Sequence, residues 1–270
     1  MILVNGAVTD LLAVTDRGLA YGDGVFRTFP ITGGRARNWR FHFRKLAGDC
    51  AALALPCPPE AVLVEELNRL SAAEAECIAK VIVTRGSGER GYAPPQPAVA
   101  TRVLLTSPPL QYPEEFARAG VRVHLCSTRL AAQPRLAGVK HLNRLENVLA
   151  RSEWSDPAVA EGLMLDPEGN VIGGTMTNLF VLDEIGMVTP DLSKCGVAGV
   201  TRERILAAAA QQGVSCRVEP VSLERVLRAR ELILVNSAIG AWAVKDIEGR
   251  TLTPGPGMTR VRAWLEQDDD

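Results

Sequence analysis

Over the first hundred or so residues, short apolar runs alternate with stretches whose apolar positions recur every three or four residues, a pattern of strands interleaved with amphipathic helices. Residues 1–4 and 25–31 read as strands, and residues 40–55 and 59–73 carry helical spacing. Two further runs, 78–84 and 101–107, alternate as paired strands do, and the glycine- and proline-rich residues 86–97 separate them. Pro108, Pro109 and Pro113 then break the pattern, because proline lacks an N–H and resists both a helix interior and a central strand. The reading is a small α/β domain over residues 1–110, a linker over 111–120, and a larger α/β domain over 121–270 that carries Lys140.

In that second part, residues 121–127 read as a strand, 143–154 as a helix, and 162–165, 171–173 and 178–182 as strands joined by tight turns. Asp166-Pro167-Glu168-Gly169-Asn170 has turn chemistry, since proline presets one backbone angle and glycine tolerates a positive φ. A helix over 201–212, a strand over 216–221, a helix over 222–229 and a strand over 231–236 follow. No internal repeat is visible, and residues 266–270 form an acidic tail. The expected class is α+β or mixed α/β, in two domains.

Composition narrows the function. With 47% hydrophobic residues in 270, the chain can bury sizeable cores. Thirty basic against thirty-one acidic residues leave a net charge of −1, so no global field recruits nucleic acid or an anionic membrane. The six cysteines form no C-x-x-C pair, which argues against a disulfide framework and fits a reducing, cytoplasmic setting. Asn5, Gly6 and Asp10 interrupt the apolar start too early for a secretory or spanning segment. His42, His124 and His141 show no ligand-like spacing, and no metal site is expected.

Four segments could carry chemistry. In Gly138-Val139-Lys140-His141-Leu142-Asn143-Arg144, a lysine closes an apolar run just before a predicted helix. Partial desolvation and the positive end of a helix both favour a neutral amine, which makes Lys140 a candidate Schiff-base lysine. Cys195-Gly196-Val197-Ala198-Gly199-Val200-Thr201-Arg202 is a glycine-containing loop running into a helix, where unpaired amides can hold a phosphate. The strand ending at Asn236 delivers Asn236 and Ser237 into a loop, as ligand-lining residues often are. Residues 84–92 combine Arg85, Arg90 and Tyr92 with three glycines, a composition suited to gripping a carboxylate.

Taken in order, five segments resemble the fold-type IV pyridoxal-phosphate enzymes, which include branched-chain aminotransferases, D-amino-acid aminotransferases and 4-amino-4-deoxychorismate lyases. They are residues 16–26, 85–92, 140–144, 177–180 and 196–202. Residues 136–146 and 85–92 are most similar to the lyase subgroup, which makes 4-aminobenzoate and pyruvate for folate synthesis. The resemblance implies a homodimer with its active site at the domain and dimer interface, a small-molecule substrate, and pyridoxal 5'-phosphate held by Lys140. It implies a phosphate turn of Gly199, Val200 and Thr201, with Asn178, Asn236 and Ser237 near the cofactor. Arg90 and Tyr92 would approach the substrate, with Tyr92 or the ammonium of Lys140 protonating the leaving group. The alternatives are an aminotransferase of the same fold, acting on D-amino or branched-chain amino acids, or a divergent homologue with weakened catalysis.

Three positions depart from that family's pattern. Gly173 falls where a glutamate normally pairs with the pyridine nitrogen, a loss that implies a less stabilised carbanion and weakened catalysis. Lys45 stands where arginine generally meets the cofactor phosphate, so charge is kept and the bidentate fork is lost. Arg27 replaces a residue that is more often acidic or small, and reads as a substrate carboxylate anchor or a surface charge.

Overall fold

The structure, a computed structural model, describes residues 1–109 and 111–267. Residues 268–270 of the expected acidic tail lie outside the described residues. The chain forms two compact units, the first from residues 1–109 with Val139–Asn143, the second from residues 111–138 and 144–267. Among the described residues, no helix is long and apolar enough to cross a membrane.

The first unit runs β1 (Ile2–Val4), β2 (Ala7–Val8), α1 (Arg17–Tyr21), β3 (Gly24–Thr32), β4 (Arg35–Ala36), α2 (Trp39–Ala52), α3 (Glu60–Ala73), β5 (Cys77–Thr84) and β6 (Thr101–Ser107). Its strands make an antiparallel sheet in the order β2-β1-β6-β5-β3-β4. Burial alternates along β3, as a two-residue period requires. Val25, Phe29 and Ile31 face a core shared with Leu46 and Cys50 of α2 and Leu63, Leu67 and Leu70 of α3. Phe26, Thr28 and Pro30 point to the other face and are only half buried. Arg27 falls on the buried side by the same alternation, and that decides its role.

The second unit runs α4 (Glu114–Ala119), β7 (Val121–Arg129), α5 (Leu145–Arg151), β8 (Val159–Leu165), β9 (Val171–Gly174), β10 (Asn178–Asp183), β11 (Gly186–Pro190), α6 (Val200–Gln211), β12 (Cys216–Glu219), α7 (Leu223–Arg228), β13 (Glu231–Asn236), β14 (Gly240–Ile247), β15 (Arg250–Thr251) and α8 (Pro256–Glu266). The sheet order is β12-β11-β10-β13-β14-β7-β8-β9, with β15 on β14. Its central strands are covered on both faces, so they read as continuous apolar runs. Leu232 and Leu234 of β13 enter one core, while Ile233 and Val235 enter another with Ile205 of α6 and Trp264 of α8.

Two sequence expectations change here. Residues 111–120 are no free linker, since Glu114–Ala119 is a helix of the second unit, with acidic Glu114 and Glu115 in its first turn after Pro113. Lys140 belongs to the first unit, because Val139–Asn143 adds backbone bonds to the start of β3, and the helix after it begins only at Leu145.

Candidate active site

Lys140 is fastened through its backbone on both sides. Its carbonyl accepts from Phe26 N at 3.0 Å, and Leu142 N donates to Gly24 O at 2.9 Å, so residues 140–142 follow the start of β3. Its own N–H donates to Asp49 Oδ2 at 3.1 Å. The amine then lies 4.5 Å from the centre of the Phe26 ring. A half-buried amine over an aromatic face is held by the ring quadrupole and partly stripped of water.

The carboxylate that steadies Lys140 is itself paired with Arg27. Arg27 is 2% exposed and also donates to Lys45 O at 3.3 Å. The residue expected to anchor a substrate carboxylate is thus a buried structural cation, because its strand position points it into α2. Burial pushes the Asp49 carboxyl upward in pKa, against the pull of Arg27. Lys45 is half buried on α2.

The loop of residues 85–92 is organised by a carboxylate that sequence reasoning missed. Asp23 accepts from Arg85 at 2.8 and 3.0 Å and from Arg17 at 2.9 Å. Arg85 continues to Leu53 O and Ala54 O, and Arg17 to Gly91 O and Tyr92 O. Burial alone would raise the pKa of Asp23, yet the two guanidiniums outweigh it and hold the carboxyl below its usual value. Arg85 is therefore a scaffold cation, while Arg90 and Tyr92 are exposed, Tyr92 to 86% with its ring 5.5 Å from that of Tyr21.

In the second unit, the start of α6 is open. Gly199 precedes it with no side-chain cap, so the first amides, those of Val200 and Thr201, have no partner inside the helix. Thr201 Oγ1 lies 3.3 Å from Ser237 Oγ, which brings two hydroxyls together at that helix start. Asn178 shapes the approach: its Nδ2 donates to Val197 O at 2.8 Å and its Oδ1 accepts from Gly199 N at 3.1 Å. A Cβ on Gly199 would run into that same Oδ1, so only glycine permits the close fit. Asn178 thus positions the loop with both amide atoms, and Arg202 points away to Thr189 Oγ1 and Pro190 O.

The turn at residues 174–177 is held by Glu161, which is 0% exposed. Its two oxygens accept from Gly162 N, Thr175 N, Thr175 Oγ1, Met176 N and Thr177 Oγ1 at 2.5–3.0 Å. Asn236 ties in from β13, donating to Met176 O at 3.2 Å and accepting from Ala238 N and Ile239 N. Asn236 thus braces the loop through its Oδ1 and one Nδ2 hydrogen. Gly173 pairs with Met164 in the sheet, and a Cβ there would come 2.8 Å from Thr177 O. The signal for Glu161 was a lone acid inside the apolar run 159–165, which must be satisfied if buried.

The first unit thus carries a half-buried lysine amine over an aromatic ring, and the second an uncapped helix start beside two hydroxyls under a sheet covered on both faces. Residues 24–247 match the amino-transferase class IV family, and the chain belongs to it. Its sequence is 32% identical to an aminodeoxychorismate lyase of Vibrio harveyi over 92% of this chain and 91% of that one. It is 28% identical to a putative branched-chain-amino-acid aminotransferase of Methanocaldococcus jannaschii over 93% and 89%. Among solved structures, a 4-amino-4-deoxychorismate lyase from Pseudomonas aeruginosa shares 43% identity at a TM-score of 0.94, covering 99% of both chains.

Proposed function

We propose that this protein is a pyridoxal 5'-phosphate-dependent lyase that converts 4-amino-4-deoxychorismate to 4-aminobenzoate and pyruvate. The observation that carries the reading is the doubly fastened Lys140, whose amine sits over Phe26. The 43% identity with the Pseudomonas aeruginosa lyase over 99% of the chain supports elimination rather than amino transfer.

The residues fit the cofactor. The uncapped amides of Val200 and Thr201 and the hydroxyls of Thr201 and Ser237 suit a phosphate ester, and the helix dipole favours its negative charge. Lys140 supplies the amine. When bound, pyridoxal phosphate joins its aldehyde to an amine and draws electron density from the attached carbon. The chain's own part is to orient and to move protons. Lys140 Nζ would then serve as the base that takes the proton from the ring carbon bearing the substrate amine. The neighbouring C–O bond then breaks, the ring becomes aromatic, and the departing enolpyruvyl oxygen is protonated by Lys140 or Tyr92. Gly173 has no carboxylate to offer at the position that the family resemblance sets against the ring nitrogen, so the cofactor's electron-withdrawing power would be reduced unless another group supplies the charge.

We further place the enzyme in the cytoplasm as a homodimer. All six cysteines are free thiols, in keeping with a reducing compartment. Leu11, Val14 and Leu19 are exposed in the first unit, as are Leu145, Val148 and Leu149 in the second, and such apolar surface suits a second copy.

The test is direct. Purified protein with pyridoxal phosphate and 4-amino-4-deoxychorismate is expected to release 4-aminobenzoate and pyruvate in equal amounts, and Lys140→Ala to abolish both the cofactor's visible absorbance band and turnover. Consumption of 2-oxoglutarate with D-alanine or a branched-chain amino acid, without release of 4-aminobenzoate, would establish the aminotransferase instead.

A further inference from the structure

His124, Cys126 and Glu153 bring together a nitrogen, a sulfur and an oxygen whose donor atoms all lie within 4.8 Å of one another. None of the three takes part in the chemistry proposed above. His124 and Cys126 share one face of β7, two residues apart, and Glu153 arrives from the turn after α5. That turn is locked onto the same strand: Ser127 N donates to Glu153 Oε2 at 2.7 Å and Thr128 N to Oε1 at 2.8 Å. The carboxylate is therefore preset against the strand that carries the other two groups.

We propose that these three side chains form a binding site for a divalent zinc-class cation, with the fourth position open to water. The spacing suits it. At bond lengths of about 2.0–2.1 Å, a tetrahedral zinc holds nitrogen and oxygen ligands about 3.3 Å apart. His124 Nε2 and Glu153 Oε2 lie 3.2 Å apart. The cation would replace the hydrogen bond between them and draw in the sulfur, which sits behind.

The thiol is the second observation. Cys126 is 1% exposed, among Leu130, Trp154 and Met164, and its sulfhydryl makes no hydrogen bond among the described residues. Gly162, opposite His124 in the sheet, leaves the space that the sulfur occupies: a Cβ there would come 2.5 Å from Sγ. A neutral imidazole, a thiolate and a carboxylate balance a 2+ cation, so the occupied site would bury no net charge. One proton leaves the thiol for solvent on binding. The His124 ring is packed by Trp154, centroids 5.6 Å apart, which fixes its plane. The histidine spacing gave no hint, because the third ligand lies twenty-seven residues beyond Cys126 (153 minus 126).

Zinc chloride added to the cofactor-loaded protein, followed by desalting, is expected to leave one zinc per chain. Zinc-edge X-ray absorption should then report one sulfur among nitrogen and oxygen neighbours. His124→Ala and Cys126→Ser should each weaken zinc binding at least about tenfold in competition with a chromophoric chelator. The absorbance of the bound cofactor should stay as in the parent. His124→Ala removes only a half-buried ring and keeps the test valid if Cys126→Ser fails to fold. No retained zinc, a shell without sulfur, or parental affinity in His124→Ala would overturn the site.

Discussion

Lys140 owes its position to Asp49, and Asp49 owes its charge to Arg27. Asp49→Asn removes the carboxylate paired with the buried Arg27 guanidinium, a change worth about 3–5 kcal/mol when one partner of a buried pair is removed. Urea denaturation should show that loss, together with slower cofactor binding because the Lys140 backbone loses an anchor. Gly199→Ala tests the helix start: its new methyl meets Asn178 Oδ1, so the cofactor should dissociate more readily in a spectroscopic titration. At this scale the sequence offered Lys140, Thr201 and Ser237 as candidates by residue type beside a glycine loop or a strand end. It misplaced Arg27, because a charged residue announces nothing about which face of a strand it will occupy.

Among elements, Asp23 links α1, the β5 end and the loop of residues 85–92, beside Asp16, which caps α1 and accepts from Thr84 Oγ1 at 3.0 Å. Asp23 meets Arg17 and Arg85, and Arg17 reaches on to the backbone of Gly91 and Tyr92. Since the folded pKa of Asp23 is held below the unfolded value, its stabilising effect is present above about pH 4 and lost as pH falls through the folded value. Urea midpoints measured between pH 6 and pH 3 should drop for the parent protein. Asp23→Asn should start lower and fall less. The strands and helices themselves were largely legible, since periods of two and of 3.6 are local properties. The helix predicted from residue 143 begins only at Leu145, because residues 139–143 are drawn into backbone bonds with β3, and β11, β14 and α8 were not read from the sequence.

For the molecule as a whole, the reading of a homodimer predicts a two-chain species in sedimentation equilibrium at micromolar concentration. Leu11→Glu combined with Val14→Glu should shift it toward single chains, since both side chains are exposed and apolar in the isolated chain. Order along the chain carried the family: the aspartate-glycine start, the arginine loop, the lysine, the Thr177-Asn178 strand entry and the glycine turn are each local signals in a fixed succession. What no local signal contained is which distant groups meet. Arg27 with Asp49, Asp23 with Arg85, Glu161 with residues 175–177, and Glu153 with His124 are joined across 14 to 62 residues by strand register and helix packing. Chemistry-bearing residue types and their element periods are written in neighbouring positions; burial and charge pairing arise only when the folded chain closes those distances.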